Sequence, residues 1–207
     1  MLSYLALILA VISAYIIGSF PTSFILAKVI KGVDIREVGS GNAGATNVVR
    51  TVGKIPGLLT LIIDILKGVL AVTVVANFFY SFDIDLDYNF YQGLMALIVV
   101  CGHIWSVFLK FKGGKGVATT LGVGAAIGFP VLLPVIIVWV IIFAITNYVS
   151  LASILALMSF PLFAIIFGYS FYTVLFSAMI CLISIYKHKE NISRLLKGRE
   201  SKIKLFR

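Results

Sequence analysis

The sequence is poor in the residues that covalent and metal chemistry draw on. Its 207 residues include two cysteines, two histidines and eight acidic side chains. Cys101 and Cys181 both lie in apolar runs, which argues against an extracellular disulfide and reads as two small apolar helix residues. No pair of cysteine or histidine has metal-ligand spacing. No H-x-x-x-x-D box occurs, since the fifth residue after His103 is Phe108 and the fifth after His188 is Ser193. A G-x-S-x-G nucleophile elbow and the Walker A spacing are both missing. No basic region precedes the first apolar stretch, which is uncharged from Met1 to Ala27 and too long for a signal-peptide core. That stretch is expected to stay as a membrane helix. Charged residues make up only 12% of the chain, against about 25% in a soluble domain.

What is abundant is apolar surface, at 61% of residues. Long uncharged runs of this kind belong to an integral membrane protein, and a single domain over residues 1–207 is expected. The runs are Leu2–Ala27, Ile55–Tyr80, Tyr91–Leu109, Val117–Gly128, Val131–Asn147, Leu151–Phe167 and Tyr169–Tyr186. The fourth, about 18 Å long as a helix, falls short of a bilayer's ~30 Å core and begins directly after a glycine-rich segment. The fold expected is all-α and polytopic with about seven transmembrane helices, or five or six if the short ones pair into single elements.

Of the 17 Lys and Arg, all but Lys67 fall in three segments, residues 28–54, 110–115 and 187–207. The loop between the second and third runs carries Asp83, Asp85 and Asp87 and no cation. Positive loops stay in the cytoplasm, which puts the N-terminus outside and the C-terminus inside. The net charge of +9 belongs to that cytoplasmic face, where topology and attraction to anionic lipid account for much of it. Lys67 lies inside the second run, three residues after Asp64, a spacing that sets both on one helix face. Charges in a membrane are costly and usually paired or functional, and pairing is the simpler expectation here.

Two of the basic segments are also rich in glycine: VGSGNAGATNVVR at Val38–Arg50 and KFKGGKGVAT at Lys110–Thr119. Small residues beside fixed positive charge suit loops that wrap phosphate. Two such loops suggest two phosphate-bearing substrates meeting at a membrane surface. In the first, G-x-G-x-x-G follows a membrane helix rather than a strand, so it is no dinucleotide fingerprint. Its Ser40, Asn42, Thr46 and Asn47 offer donors, and Arg50 can grip a phosphate with two parallel bonds. A flexible cytoplasmic turn explains the same residues. If Thr46 opens the second helix, its N-terminus adds to the attraction. In the second, Gly113, Gly114 and Gly116 surround Lys115 and a helix begins at Val117. A phosphate nest is the leading reading over a topology-setting basic turn. His103 lies just inside the third helix, close to this loop. His188, where the seventh helix leaves the membrane, is expected to be solvated. Asn191 shares its helix face if the helix continues. A chain so equipped has to work by positioning and by electrostatic stabilisation of phosphate charge, not through a covalent intermediate.

GSGNAGATN with Arg50, Gly102-His103 followed by FKGGKGVAT, and VSLASI at Val149–Ile154 resemble the three signature segments of the bacterial acyl-phosphate-dependent glycerol-3-phosphate acyltransferases, the PlsY family. Asp64-x-x-Lys67-Gly68 and the KHKEN tail match as well, so the resemblance spans nearly the whole chain. Two departures stand: Ala43 where the family often has proline, and Trp105-Ser106 for its usual aromatic-proline pair. The resemblance implies transfer of a fatty acyl group from acyl phosphate to the sn-1 hydroxyl of glycerol 3-phosphate, the first step of phospholipid synthesis. By the same resemblance Ser40, Thr46, Arg50 and Lys115 hold the glycerol phosphate. Gly113, Gly114 and Gly116, with Lys112 and Thr119, cradle the acyl phosphate. Ser153, His188 and Asn191 orient the hydroxyl and the reacting carbonyl, while Asn42, Asn47, His103, Asp64 and Lys67 support the site. No metal, cofactor or nucleic acid is expected. A monomer in the bacterial inner membrane is expected, with membrane lipid around it and its active site on the cytoplasmic side. The alternatives are a transporter or channel for a phosphorylated metabolite, which the acidic outer loop opposes, and a regulatory subunit sensing anionic lipid. A CDP-alcohol phosphotransferase would need more intramembrane aspartates than Asp64.

Overall fold

A computed structural model describes residues 1–203. Among them all regular structure is helical, and the chain divides into two compact units, Met1–Ile127 and the part from Gly128 onward.

The first unit opens with α1 (Leu2–Ser19) and α2 (Thr22–Lys31). The face of α1 that packs is its small one: Ala6, Ala10, Ala14 and Gly18 recur every fourth residue and are buried, while Leu2, Leu5, Ile8, Leu9, Ile12 and Ile16 are exposed. That inversion suits a helix whose solvent is lipid, where close backbone approach holds helices together. The partner is α6 (Tyr88–Ile104). A β carbon on Gly18 would run into the Val99 carbonyl, and one on Gly102 into that of Tyr15. The α1–α2 break falls at Phe20-Pro21, inside an apolar run whose hydrophobicity gives no sign of it. Proline lacks the N–H that would continue the ladder, and the carbonyls at the break take side-chain donors: Ser106 Oγ serves Ser19, and Lys67 Nζ serves Phe20 at 2.6 Å beside the Thr22 amide at 3.0 Å.

A short α3 (Ala45–Thr51) precedes α4 (Lys54–Leu70), which runs through a π-helical segment, Ala71–Val75, into α5 (Ala76–Tyr80). Asp87 caps α6, accepting from the Asn89 and Phe90 amides at 2.9 and 3.0 Å. α7 (Val117–Ile127) crosses α4 closely, because Gly68 and Gly122 leave the opposing Thr119 and Ile65 carbonyls room. Ala27 of α2 and Val48 of α3 form a buried apolar cluster with Ile35, Ala43 and Leu109 that anchors the first glycine loop.

The second unit contains α8 (Phe129–Thr146), α9 (Val149–Ile166), α10 (Phe171–Lys187) and α11 (Lys189–Leu196). α8 ends at Asn147 in the left-handed conformation (φ 60°), and Ser170 caps α10. α10 and α11 meet at His188 with a bend of 59°.

All seven expected apolar runs carry helix, and α7 is the short one expected. Among the described residues, five helices are long and apolar enough to cross a membrane: Leu2–Lys31, Lys54–Tyr80, Tyr88–Leu109, Phe129–Thr146 and Val149–Ile166. The bent α10–α11 pair makes up to six.

Candidate active site

In the first glycine loop Asn47 is the organiser. Buried near the start of α3, its Nδ2 donates to the Ile35 and Val38 carbonyls, both at 2.9 Å, and its Oδ1 accepts from the Ser40 amide at 2.9 Å. Its polar atoms are thus spent on the loop itself. Gly39 (φ 62°) admits this, because a β carbon there would overlap Asn47 Oδ1. Thr46 does not open the second membrane helix. It belongs to α3, seven residues long and separated from α4 by Gly53 at φ 146°. Thr46 and Arg50 are four apart on α3 and share a face, and Ser40 and Arg50 are exposed at the surface.

A neighbouring pair, not singled out in the sequence, ties this loop to the second one. Arg36 grips Asp34 with Nε at 3.0 Å and Nη2 at 2.6 Å and donates through Nη1 to the Leu109 carbonyl at 3.0 Å. Its guanidinium sits 5.6 Å from the Phe24 ring centre. The hydrogen bonds from Arg36 hold the Asp34 carboxyl below its ordinary range, and the same contact raises Arg36.

In the second loop the glycine amides are less available than expected. Gly113 N–H donates to the Ile104 carbonyl and Gly114 N–H to that of His103, both at 3.1 Å. These glycines are needed for closeness: a β carbon on Gly113 would strike the His103 carbonyl, and one on Gly114 the His103 ring. At the start of α7 Gly116 accepts from Thr120 N–H at 2.8 Å, and the preceding helical N–H groups have no intrahelical acceptor, the arrangement that suits an anion. Thr119 is fully buried and its hydroxyl has no partner among the described residues. Lys112 is exposed and Lys115 half-buried.

Beneath this loop Lys67 Nζ lies 2.6 Å from Asp64 Oδ1, both side chains buried. The pairing expected from their spacing is present.

The second unit gathers the remaining candidates. His188 is not solvated; it is 2% exposed at the α10–α11 junction, with Nδ1 2.8 Å from the Ser184 carbonyl. A carbonyl only accepts, so Nδ1 carries hydrogen and proton acceptance by the neutral ring falls to Nε2. The helix does not continue past His188, and Asn191 is placed by α11. Asn191 Nδ2 donates to Glu200 Oε1 at 2.7 Å. Ser150 Oγ donates to the same oxygen at 2.8 Å, and Arg194 Nε to Oε2 at 2.7 Å. Burial pushes the Glu200 carboxyl up, but the bonds from Arg194, Asn191 and Ser150 outweigh it and hold the group below the ordinary glutamate range. Sequence reasoning missed Glu200 and Ser150. The signal available was Gly198, which at φ 64° ends the helix and turns the tail back, so that Ile203 N–H reaches the Asn147 carbonyl at 3.0 Å. Ser153, one turn beyond Ser150, accepts from Trp139 Nε1 at 3.2 Å.

Membrane-length apolar helices and two basic glycine loops define a polytopic helical membrane protein. Comparison with known proteins narrows this. A family model described as glycerol-3-phosphate acyltransferase matches residues 8–198. A glycerol-3-phosphate acyltransferase of Endomicrobium trichonymphae is 45% identical over 97% of both chains. One of Aquifex aeolicus is 46% identical over 92% of this chain and 95% of its own. Among solved structures, the glycerol 3-phosphate form of the integral membrane acyltransferase PlsY superposes with TM-score 0.87 at 44% identity, covering 96% of each chain. Its lysophosphatidic acid form gives 0.84 at 43%, covering 96% and 95%. The chain belongs to the glycerol-3-phosphate acyltransferase family and is an integral membrane acyltransferase.

Proposed function

We propose that this protein transfers a fatty acyl group from acyl phosphate to the sn-1 hydroxyl of glycerol 3-phosphate, giving lysophosphatidic acid and inorganic phosphate. The observation that carries the reading is its whole-length likeness to an acyltransferase solved with glycerol 3-phosphate and with lysophosphatidic acid. The residues fit the chemistry. Arg50, Ser40, Thr46 and Lys115 hold the glycerol phosphate, Arg50 by a forked, charge-assisted contact. Lys112 and the α7 N-terminus after Gly116 take the acyl phosphate. Ser153, His188 and Asn191 orient the hydroxyl and the acyl carbonyl.

The hydroxyl oxygen attacks the acyl carbon. The new C–O ester bond forms as the anhydride C–O bond breaks, and phosphate departs with the electron pair. A phosphate oxygen of the donor takes the hydroxyl proton, with His188 Nε2 the rival base. An acyl phosphate already carries a good leaving group, so a one-step transfer needs no acyl-enzyme. Positioning and charge stabilisation supply the acceleration.

The topology belonging to this reading has the N-terminus outside, α7 as a short crossing, and both glycine loops, the Asn147–Tyr148 turn and the C-terminal tail in the cytoplasm of a bacterial plasma membrane. It is supported by the Arg36–Leu109 bond, which joins the two loops, and by the Ile203–Asn147 bond, which joins tail and turn. One chain acts alone.

The test is phosphate release by the purified protein in lipid, given palmitoyl phosphate with and without glycerol 3-phosphate. Release requiring both substrates, with lysophosphatidic acid formed, is the expected result. Turnover with palmitoyl-CoA alone overturns the donor, and no turnover with any donor overturns the activity.

A further inference from the structure

We propose that His103 is a positioning residue that sets the two glycine loops in register with each other, itself held by the buried Asp64–Lys67 pair. The inference rests on the acyl-transfer reading above and deepens it.

Two residues, Asp64 and Gly114, flank this one imidazole, and a third, Ala43, bounds the space beside it. On its inner side Nδ1 lies 3.9 Å from Asp64 Oδ1, the oxygen that Lys67 Nζ approaches to 2.6 Å. On its outer side Nε2 and Cε1 occupy the space in which a Gly114 β carbon would sit. The Ala43 carbonyl, from the first glycine loop, bounds the same space at 3.0 Å. The His103 carbonyl also accepts the Gly114 amide at 3.1 Å. Ring and backbone of one residue therefore touch the second loop, and the space they leave is closed by the first.

The inner side is fixed for a physical reason. Lys67 Nζ is held between Asp64 and the Phe20 carbonyl at the α1–α2 break, which also accepts the Thr22 N–H at 3.0 Å. Asp64 is 1% exposed, and its Oδ2 has no hydrogen-bond partner among the described residues. Apolar side chains would join these helices at least as well as a desolvated ion pair. What the pair adds is a dipole whose carboxylate end, fixed by Lys67, faces His103 Nδ1 at 3.9 Å and orients the ring. Its far edge then decides how closely Gly114 can approach and, through Ala43, where the first loop stands against the second. Since the loops are to present two phosphates to one another, an error of about 1 Å here carries a cost on the order of a hundredfold in rate.

The test is a suppressor experiment with the full chain in lipid and two readouts: acyl transfer from palmitoyl phosphate, and hydrogen exchange of the 110–116 amides. Gly114→Ala alone is expected to lower kcat/KM roughly hundredfold and to speed exchange, because the new methyl drives loop and ring apart. His103→Asn removes the colliding ring edge and is expected to cost about tenfold, mostly in KM for acyl phosphate. In the His103→Asn background Gly114→Ala should add nothing further, and exchange should return to the level of His103→Asn alone. Asp64→Asn, which keeps shape without charge, strands the buried Lys67 ammonium and should lower Tm in every background; it should also raise the same KM about tenfold, and that KM effect should be silent in the His103→Asn background. Additive kinetic losses in either double variant overturn the proposal. The exchange pattern without turnover in any chain, wild type included, overturns the acyl-transfer reading and sustains the loop register.

Discussion

Asn191 and Glu200 are joined by a 2.7 Å hydrogen bond in which the amide donates and the carboxylate accepts. The carboxylate is buried and takes two further bonds, from Ser150 and Arg194. Its folded pKa is depressed. Its stabilising contribution is therefore complete above the unfolded value of about 4.3 and is lost as pH falls through the folded value. Thermal melts of the wild type should show Tm falling on acidification below about pH 4.3, and Glu200→Gln should flatten that limb while lowering Tm at pH 7. Because the amide keeps one acceptor but loses the charge that Asn191, Ser150 and Arg194 share, the hold on Asn191 weakens and kcat should fall as well. An unchanged kcat in a folded Glu200→Gln chain would show that Asn191 is positioned by other contacts.

Arg50→Ala should weaken glycerol 3-phosphate by the worth of a charged contact, about 2 kcal/mol or roughly thirtyfold in KM. Arg50→Lys should recover only part of this, since an ammonium cannot reproduce the two parallel bonds. Steady-state kinetics with glycerol 3-phosphate varied are the check, and an unchanged KM removes Arg50 from the binding role.

His188 separates two mechanisms. If a donor phosphate oxygen takes the proton, His188→Gln should raise KM for glycerol 3-phosphate and leave measurable turnover. A general base contributes about 10²–10⁴ in rate, so loss of turnover on that scale with substrate affinity intact would transfer the role to Nε2. Single-turnover measurements across pH 5–9 make the distinction.

Asp34→Asn should release the Arg36 clamp between the glycine loops. Both side chains are partly exposed, so the stability cost stays within ~1 kcal/mol. The effect should show in KM for both substrates, a few-fold each, with kcat nearly constant. The depressed Asp34 pKa means the clamp is complete above about pH 3.9 and opens as pH falls through the folded value. A kcat loss without a KM change would contradict the clamp.

The sequence made the helices legible where hydrophobicity and punctuation agree. α7 was bounded by Gly116 and by Gly128-Phe129-Pro130, and its shortness followed. The break at Pro21 was hidden because the residues on both sides are apolar, and the π segment at Ala71–Val75 carries no local signal. Asp64 and Lys67 were readable as a pair because helical spacing alone brings them together. Residues whose roles depend on distant partners were not. Asn47 offered donors on paper and spends them on Ile35 and Val38. His188 stood beside lysines and is nevertheless enclosed. Glu200 was one of several tail charges until Gly198 turned it back onto Ser150, 50 residues away.

The small-residue stripe of α1 has a consequence for the order in which the protein is made. Its docking face fits α6, and Ser19 Oγ donates to the Gly102 carbonyl 83 positions later in the chain. At a synthesis rate of about 5–20 residues per second, α1 leaves the ribosome roughly 4–17 s before that partner exists. During that interval the bulky face of Leu5, Ile8, Ile12 and Ile16 keeps it dissolved in lipid. Its alanines and Gly18 wait as an open face on which helices pack closely.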